Sequence, residues 1–151
     1  MSDTQLISGY SVRLDLAYDP TGDLWVEVLS PTEVAIGLDS IGTESSGSLA
    51  QLSMLPPGQR VSRGEPLGSL EAEKFVGPVL SPLSGTVTAV NAAALANPSA
   101  LHADPYGAWL VRIEPSALEE ELAGLVRGED AVAEYFAAKV SEYKMKGILA
   151  Q

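Results

Sequence analysis

Gly68-Ser69-Leu70-Glu71-Ala72-Glu73-Lys74-Phe75-Val76-Gly77-Pro78-Val79-Leu80-Ser81-Pro82-Leu83-Ser84-Gly85 reads as two short apolar strands with a lysine at the turn between them. Lys74 is also the only lysine in the first 138 residues. A lone ammonium on a hairpin tip is exposed, mobile and chemically distinct from its surroundings. Those are the requirements for a residue that a modifying enzyme must find and acylate. An ordinary surface lysine would need no such explanation; the strands on either side and the wider pattern are what single this one out.

Working outward, turns recur every eight to twelve residues through the first two-thirds of the chain, the spacing of many short strands. Val12, Leu14 and Leu16 alternate with Arg13 and Asp15 as a half-buried strand, and Asp19-Pro20-Thr21-Gly22 is a turn. Strands follow over 24–29 and 34–38, and Asp39 is placed to cap a short helix through Glu44 that Gly47 ends. Further strands run over 49–55, 86–90 and 109–113. Pro56-Pro57-Gly58 and Ser81-Pro82-Leu83-Ser84-Gly85 each precede a strand pair, a weak internal echo that suggests two half-sheets around one core. After Pro115 the period changes. Ser116 is positioned to cap a helix through Leu118, Leu122 and Leu125, and Asp130 to open another through Val132, Tyr135, Phe136, Val140 and Tyr143. The predicted fold is mainly β: a flattened antiparallel barrel-sandwich hybrid with C-terminal α-helices. It forms a single domain over 1–151, with a β core over about 10–115 and a helical extension over about 116–146. The tail is expected to pack on the β core.

Composition narrows the function. With 151 residues and a net charge of −11, the chain is unsuited to nucleic acid, whose phosphates call for Lys and Arg. No apolar run reaches the length of a membrane span, so no membrane partner is expected. The start Met1-Ser2-Asp3-Thr4-Gln5 lacks the pattern of a signal peptide, which makes the cytoplasm the expected compartment. There is no cysteine, so sulfur chemistry would have to come from an attached group. The single histidine, His102, is too few for a metal cluster. No nucleophile–base–orienter set can be picked out, and the chain is not expected to be an enzyme. Lys144-Met145-Lys146 looks superficially like a biotin site, but its order is inverted and no hairpin encloses it.

From Trp25 to Pro115 the chain resembles the H-protein of the glycine cleavage system, a lipoyl carrier. The landmarks are Trp25-Val26, Gly37, Gly47, Leu55-Pro56, Gly58, Gly68, Glu71, Lys74, Ser81-Pro82, Ser84-Gly85, Val90-Asn91 and Asp104-Pro105-Tyr106-Gly107. They align without a gap from Gly37 to Gly107. The resemblance implies that Lys74 carries lipoic acid through an amide, the swinging arm, with Glu71 as the acid of a Glu-x-x-Lys motif. It also implies that Glu73 and Phe75 flank the tip as recognition residues. Lipoate-attaching enzymes and dihydrolipoyl dehydrogenase are the implied partners.

Several residues depart from the family's pattern. Its His-Glu-Trp box is here Asp23-Leu24-Trp25, and Ile41 stands where an aromatic residue or histidine is common. Phe75-Val76-Gly77-Pro78 replaces small polar residues after the lysine, and Pro105-Tyr106-Gly107-Ala108-Trp109 shortens a longer run. With Leu24 and Ile41 apolar, an ammonium-bearing cargo is expected to find no acidic partner beside the arm. The resulting expectation is a lipoate-binding protein serving a heterodisulfide-reductase-like complex in cytoplasmic sulfur oxidation. The alternative is a glycine cleavage H-protein passing aminomethyl groups among the glycine cleavage enzymes. An unmodified acidic scaffold is a third possibility. Phe75 and Val76 are expected to be exposed.

Overall fold

The computed structural model describes residues 4–149. A two-residue turn joins β1 (Thr4–Ile7) to β2 (Tyr10–Arg13). Ser8 and Gly9 both have positive φ there, 52° and 90°, the geometry that matches strand twist across so tight a loop. The strands β3 (Ala17–Asp19), β4 (Leu24–Ser30) and β5 (Glu33–Leu38) follow, then the helix α1 (Ser40–Ser46). Next come β6 (Leu49–Met54), β7 (Arg60–Val61), β8 (Pro66–Ala72), β9 (Val76–Leu80) and β10 (Gly85–Val90). Two short helices, α2 (Ala92–Ala96) and α3 (Ala100–Ala103), precede β11 (Val111–Pro115), and α4 (Leu118–Leu122) and α5 (Glu129–Met145) follow it.

The strands form a six-stranded antiparallel sheet in the order β3-β4-β5-β11-β10-β7 and a three-stranded sheet β6-β8-β9, beside the β1–β2 hairpin. The mainly β, sandwich-like fold with C-terminal helices is as expected, but the sheets do not close into a barrel.

The large sheet is covered on both faces. Leu24 and Val26 of β4, with Val34, Ile36 and Leu38 of β5, face Leu52, Leu67, Leu70 and Val79 of the small sheet. On the opposite face Trp25 and Ala35 meet Val12, Tyr18, Ile41 and the α5 residues Val132, Phe136 and Val140. A sheet covered on both sides has apolar residues at both parities, which is why Leu24-Trp25-Val26 does not alternate. Gly37 is required here: a Cβ on it would lie 2.4 Å from the Trp25 ring.

Four local expectations are revised. The strand expected through Val12, Leu14 and Leu16 is split, because the chain turns after Arg13 and re-enters as β3. The Tyr18 hydroxyl closes that turn, donating to the Arg13 carbonyl at 2.7 Å, and all three apolar residues stay buried. Ser116 does not cap α4. Ala117 occupies that position without a side-chain bond, while the Ser116 N–H donates to Ser84 O. Gly128, with φ of 95°, precedes α5, so Asp130 lies within its first turn. The strand expected from Trp109 begins at Val111. The helical tail packs on the sheet as expected, with Val132, Phe136 and Val140 buried.

Candidate functional site

β8 and β9 form the hairpin that carries Lys74, with Glu71 opposite Val76 and the Ala72 N–H donating to Phe75 O at 2.8 Å across the tip. Glu71, Glu73, Lys74, Phe75 and Val76 are all exposed; Phe75 is 45% and Val76 72% accessible. The tip is not a free loop. The Lys74 N–H donates to Ser46 O at 2.8 Å and the Glu73 N–H to Ser48 O at 2.9 Å. The Glu73 carboxylate in turn accepts from the Ser48 N–H at 3.3 Å. The corner between α1 and β6 therefore grips the backbone on which the Lys74 side chain stands.

That corner is itself held. Gly47 has φ of 76°, and a Cβ there would meet Glu73 Oε1 at 2.7 Å. Its carbonyl accepts from His102 Nε2 at 2.8 Å, which requires the Nε2-protonated tautomer. His102 thus braces the hairpin from α3. At the other end of α1, Asp39 caps the helix by accepting from the Gly42 N–H at 2.8 Å. The Asp39 carboxylate is fully buried and its Oδ2 has no partner. Burial, reinforced by the nearby Asp23, raises its pKa well above the usual carboxylate range.

Lys74 and Phe75 stand at the edge of a cavity of about 560 Å³. Its apolar lining includes Leu24, Leu38, Leu70, Val79 and Ile148; the polar lining includes Asp19, Asp23, Ser45 and Tyr143. Leu24 is in the wall as expected. Ile41 is not: it points to the opposite side of α1, fully buried against the Trp25 core, and the neighbouring Gly42 reaches the cavity instead. The expectation that no acid lies beside the arm is also corrected, since Asp23 and Asp19 are both in the lining.

Asp23 does not stand alone. Lys139 Nζ lies 2.6 Å from Asp23 Oδ1, and the Tyr143 hydroxyl donates to Oδ2 at 3.1 Å. Lys139 also donates to Pro20 O, and its ammonium sits 5.6 and 5.2 Å from the Tyr135 and Tyr143 ring centroids. Burial raises the Asp23 pKa, and attraction to Lys139 offsets that only in part. Burial pulls the Lys139 pKa down, but Asp23 outweighs it and the lysine remains cationic, with its pKa raised. We read the pair as ionised, because both charges keep an opposite partner within contact distance. Sequence reasoning missed Lys139. The available signal was a lysine on the apolar stripe of α5 that carries Val132, Phe136 and Val140, a position that demands a buried partner.

Among the described residues no cluster suited to a metal is present. Among the same residues no helix is long and apolar enough to cross a membrane. Lys144 lies in α5 and Lys146 at its C-terminal end, so neither stands in a hairpin.

Comparison with known proteins gives a consistent result. The sequence model of the family "Glycine cleavage H-protein" matches residues 16–137. The match ends before Lys139, Tyr143 and Ile148. "Glycine cleavage system H protein 2" of Aquifex aeolicus is 35% identical over 136 residues, covering 89% of this chain and 81% of its own. "Probable glycine cleavage system H protein" of Pyrococcus horikoshii is 36% identical over 129 residues, covering 85% and 95%. The crystal structure of a glycine cleavage system H protein from Mycobacterium marinum superposes with a TM-score of 0.66 at 31% identity, covering 75% of this chain and 97% of that one. On this sequence and structural likeness, the chain belongs to the glycine cleavage H-protein family of lipoyl carriers.

Proposed function

We propose that Lys74 is the lipoyl attachment site, and that the protein is a non-catalytic carrier whose arm moves between partner enzymes. The observation that carries this reading is the exposed lysine on a braced hairpin tip at the edge of a largely apolar cavity. The residues present fit the group. Acylation removes the Lys74 charge, and the Leu24, Leu38, Leu70 and Val79 wall then suits an uncharged hydrocarbon arm. When bound, lipoate supplies a strained disulfide that is reversibly reduced. The chain's own part is to present the lysine, hold its backbone through Ser46 and Ser48, and offer the apolar wall beside it. Glu71, Glu73 and Phe75 are the proposed recognition surface for lipoate-attaching enzymes. Intact mass after treatment with a lipoyl ligase tests the assignment. One lipoyl increment is expected, and none in Lys74→Arg; an adduct that survives that substitution refutes the site.

For the carrier's partner we favour a heterodisulfide-reductase-like sulfur-oxidising complex in the cytoplasm, with dihydrolipoyl dehydrogenase acting on the arm. In support, Leu24 is apolar and the Asp23 carboxylate is already held by Lys139 and Tyr143. A cysteine-free composition suits a reducing compartment. The second reading is service to the glycine cleavage enzymes, favoured by the names of the relatives and by two carboxylates in the cavity lining. Release of carbon dioxide from glycine by those enzymes separates the two. Turnover on the lipoylated protein at least about tenfold below that of an authentic H-protein is expected, the effect of about 1.4 kcal/mol. Equal turnover would establish the second reading.

A further inference from the structure

We infer that Lys139 makes the cavity beside Lys74 selective for an uncharged arm, because it holds Asp23 and denies that carboxylate to any cationic group carried on the lysine. The inference rests on the reading that Lys74 bears the arm, and it names what the cavity accepts.

The geometry supports it from both sides of the carboxylate. Lys139 Nζ is 2.6 Å from Oδ1, and the Tyr143 hydroxyl donates to Oδ2. The two charged side chains are 9% and 12% exposed, so their attraction is little screened by water. An ammonium arriving on the arm would either share a carboxylate whose charge Lys139 already balances, placing two cations on one anion, or displace Lys139. Displacement would strand a buried cation whose remaining contacts include the Pro20 carbonyl and the Tyr135 and Tyr143 rings. Asp19, the other acid in the lining, is no substitute. It is only partly buried, one carboxylate oxygen accepts from the Thr21 N–H at 3.0 Å, and a pair there would be weakened by solvent. An anionic arm fares no better, since Lys74 is the one basic residue among the described lining and acylation removes its charge. The cavity therefore takes the arm while it is uncharged and leaves a charged arm in solvent, where a partner can reach it. Lys139 and Tyr143 lie in the C-terminal part of α5, just beyond the residues matched by the family's sequence model.

The chain has no cysteine, so Lys74→Cys creates a unique thiol. That thiol is loaded by disulfide exchange with hexyl or 6-aminohexyl methanethiosulfonate, arms with the same six-carbon chain and a neutral or a cationic end. Occupancy of the cavity is read from the amide resonances of Leu24, Leu38 and Ile148. With Lys139 present, the hexyl arm should shift these resonances and the aminohexyl arm should leave them near their unlabelled positions. Lys139→Met, or the milder Lys139→Gln, should raise the occupancy of the aminohexyl arm at least about tenfold. Equal occupancy by the two arms in the Lys139 protein would overturn the inference, as would a hexyl arm that shifts nothing. So would a folded Lys139 variant that still excludes the ammonium. The comparison in the Lys139 protein stands even if both variants fail to fold. No lipoate or partner enzyme is involved, so a failure here is distinct from a failure of the lipoyl mass test.

Discussion

Phe75 follows the lysine and belongs to the recognition surface proposed above. The residue is 45% exposed and lines the cavity edge, so truncation removes little buried area. Phe75→Ala is therefore expected to lower stability by no more than about 1 kcal/mol while slowing lipoylation severalfold, measured by urea unfolding and by the initial rate of the mass increment. A large stability loss with an unchanged rate would assign Phe75 to the core instead. At this scale the hairpin position of Lys74 was legible from the strands on either side of it, and the exposure of Phe75 and Val76 from their closeness to that tip. The sequence misjudged Ile41, because aligned position says nothing of which side of α1 a side chain leaves. It could not supply the partner of Asp23, since Tyr143 lies 120 residues away and only folding brings the two together.

Among the elements, α1 links the buried acids to the hairpin: Asp39 caps one end and Ser46 holds the Lys74 backbone at the other. A carboxyl whose pKa is raised on folding stabilises the native state fully below its unfolded pKa and loses that contribution as pH rises through the native value. Burial raises Asp39, so its ionised form is the destabilising one. Asp39→Asn keeps an N-cap acceptor for the Gly42 N–H and removes the charge. The variant should match the parent in acid and exceed it increasingly as pH rises, by about 1–3 kcal/mol once Asp39 is ionised. Urea unfolding across a pH series checks this, and a constant difference would disprove it. The cap was legible, because Asp39 precedes a short helix that Gly47 ends. The β1–β2 hairpin, α2 and α3 were not. Ser8-Gly9 is a weak turn signal, and the alanine-rich run after Asn91 has too little periodicity to mark two helices.

For the whole molecule, the large sheet is shared by two cores, one under the small sheet and the other under α5. Phe136 is fully buried in the second, edge-on to Tyr18 with centroids 5.0 Å apart. Phe136→Ala is expected to lose about 3–5 kcal/mol in urea unfolding, several times the effect of removing the exposed Phe75 ring. A loss below 1 kcal/mol would mean that α5 is a dispensable cover. The strand-to-helix switch after Pro115 was readable from periodicity. The open sheets were not, because closure depends on strand pairing that short apolar runs leave undetermined. The second core also has an optical signature. Trp25 is 1% exposed and donates its indole N–H to Pro105 O at 2.9 Å, whereas Trp109 is only partly buried, with the Arg112 guanidinium 4.7 Å from its ring centroid. The two indoles should differ in emission colour and in susceptibility to a dissolved quencher. Light from Trp25 would then register a lifting of α5 while the sheet sandwich beneath stayed shut.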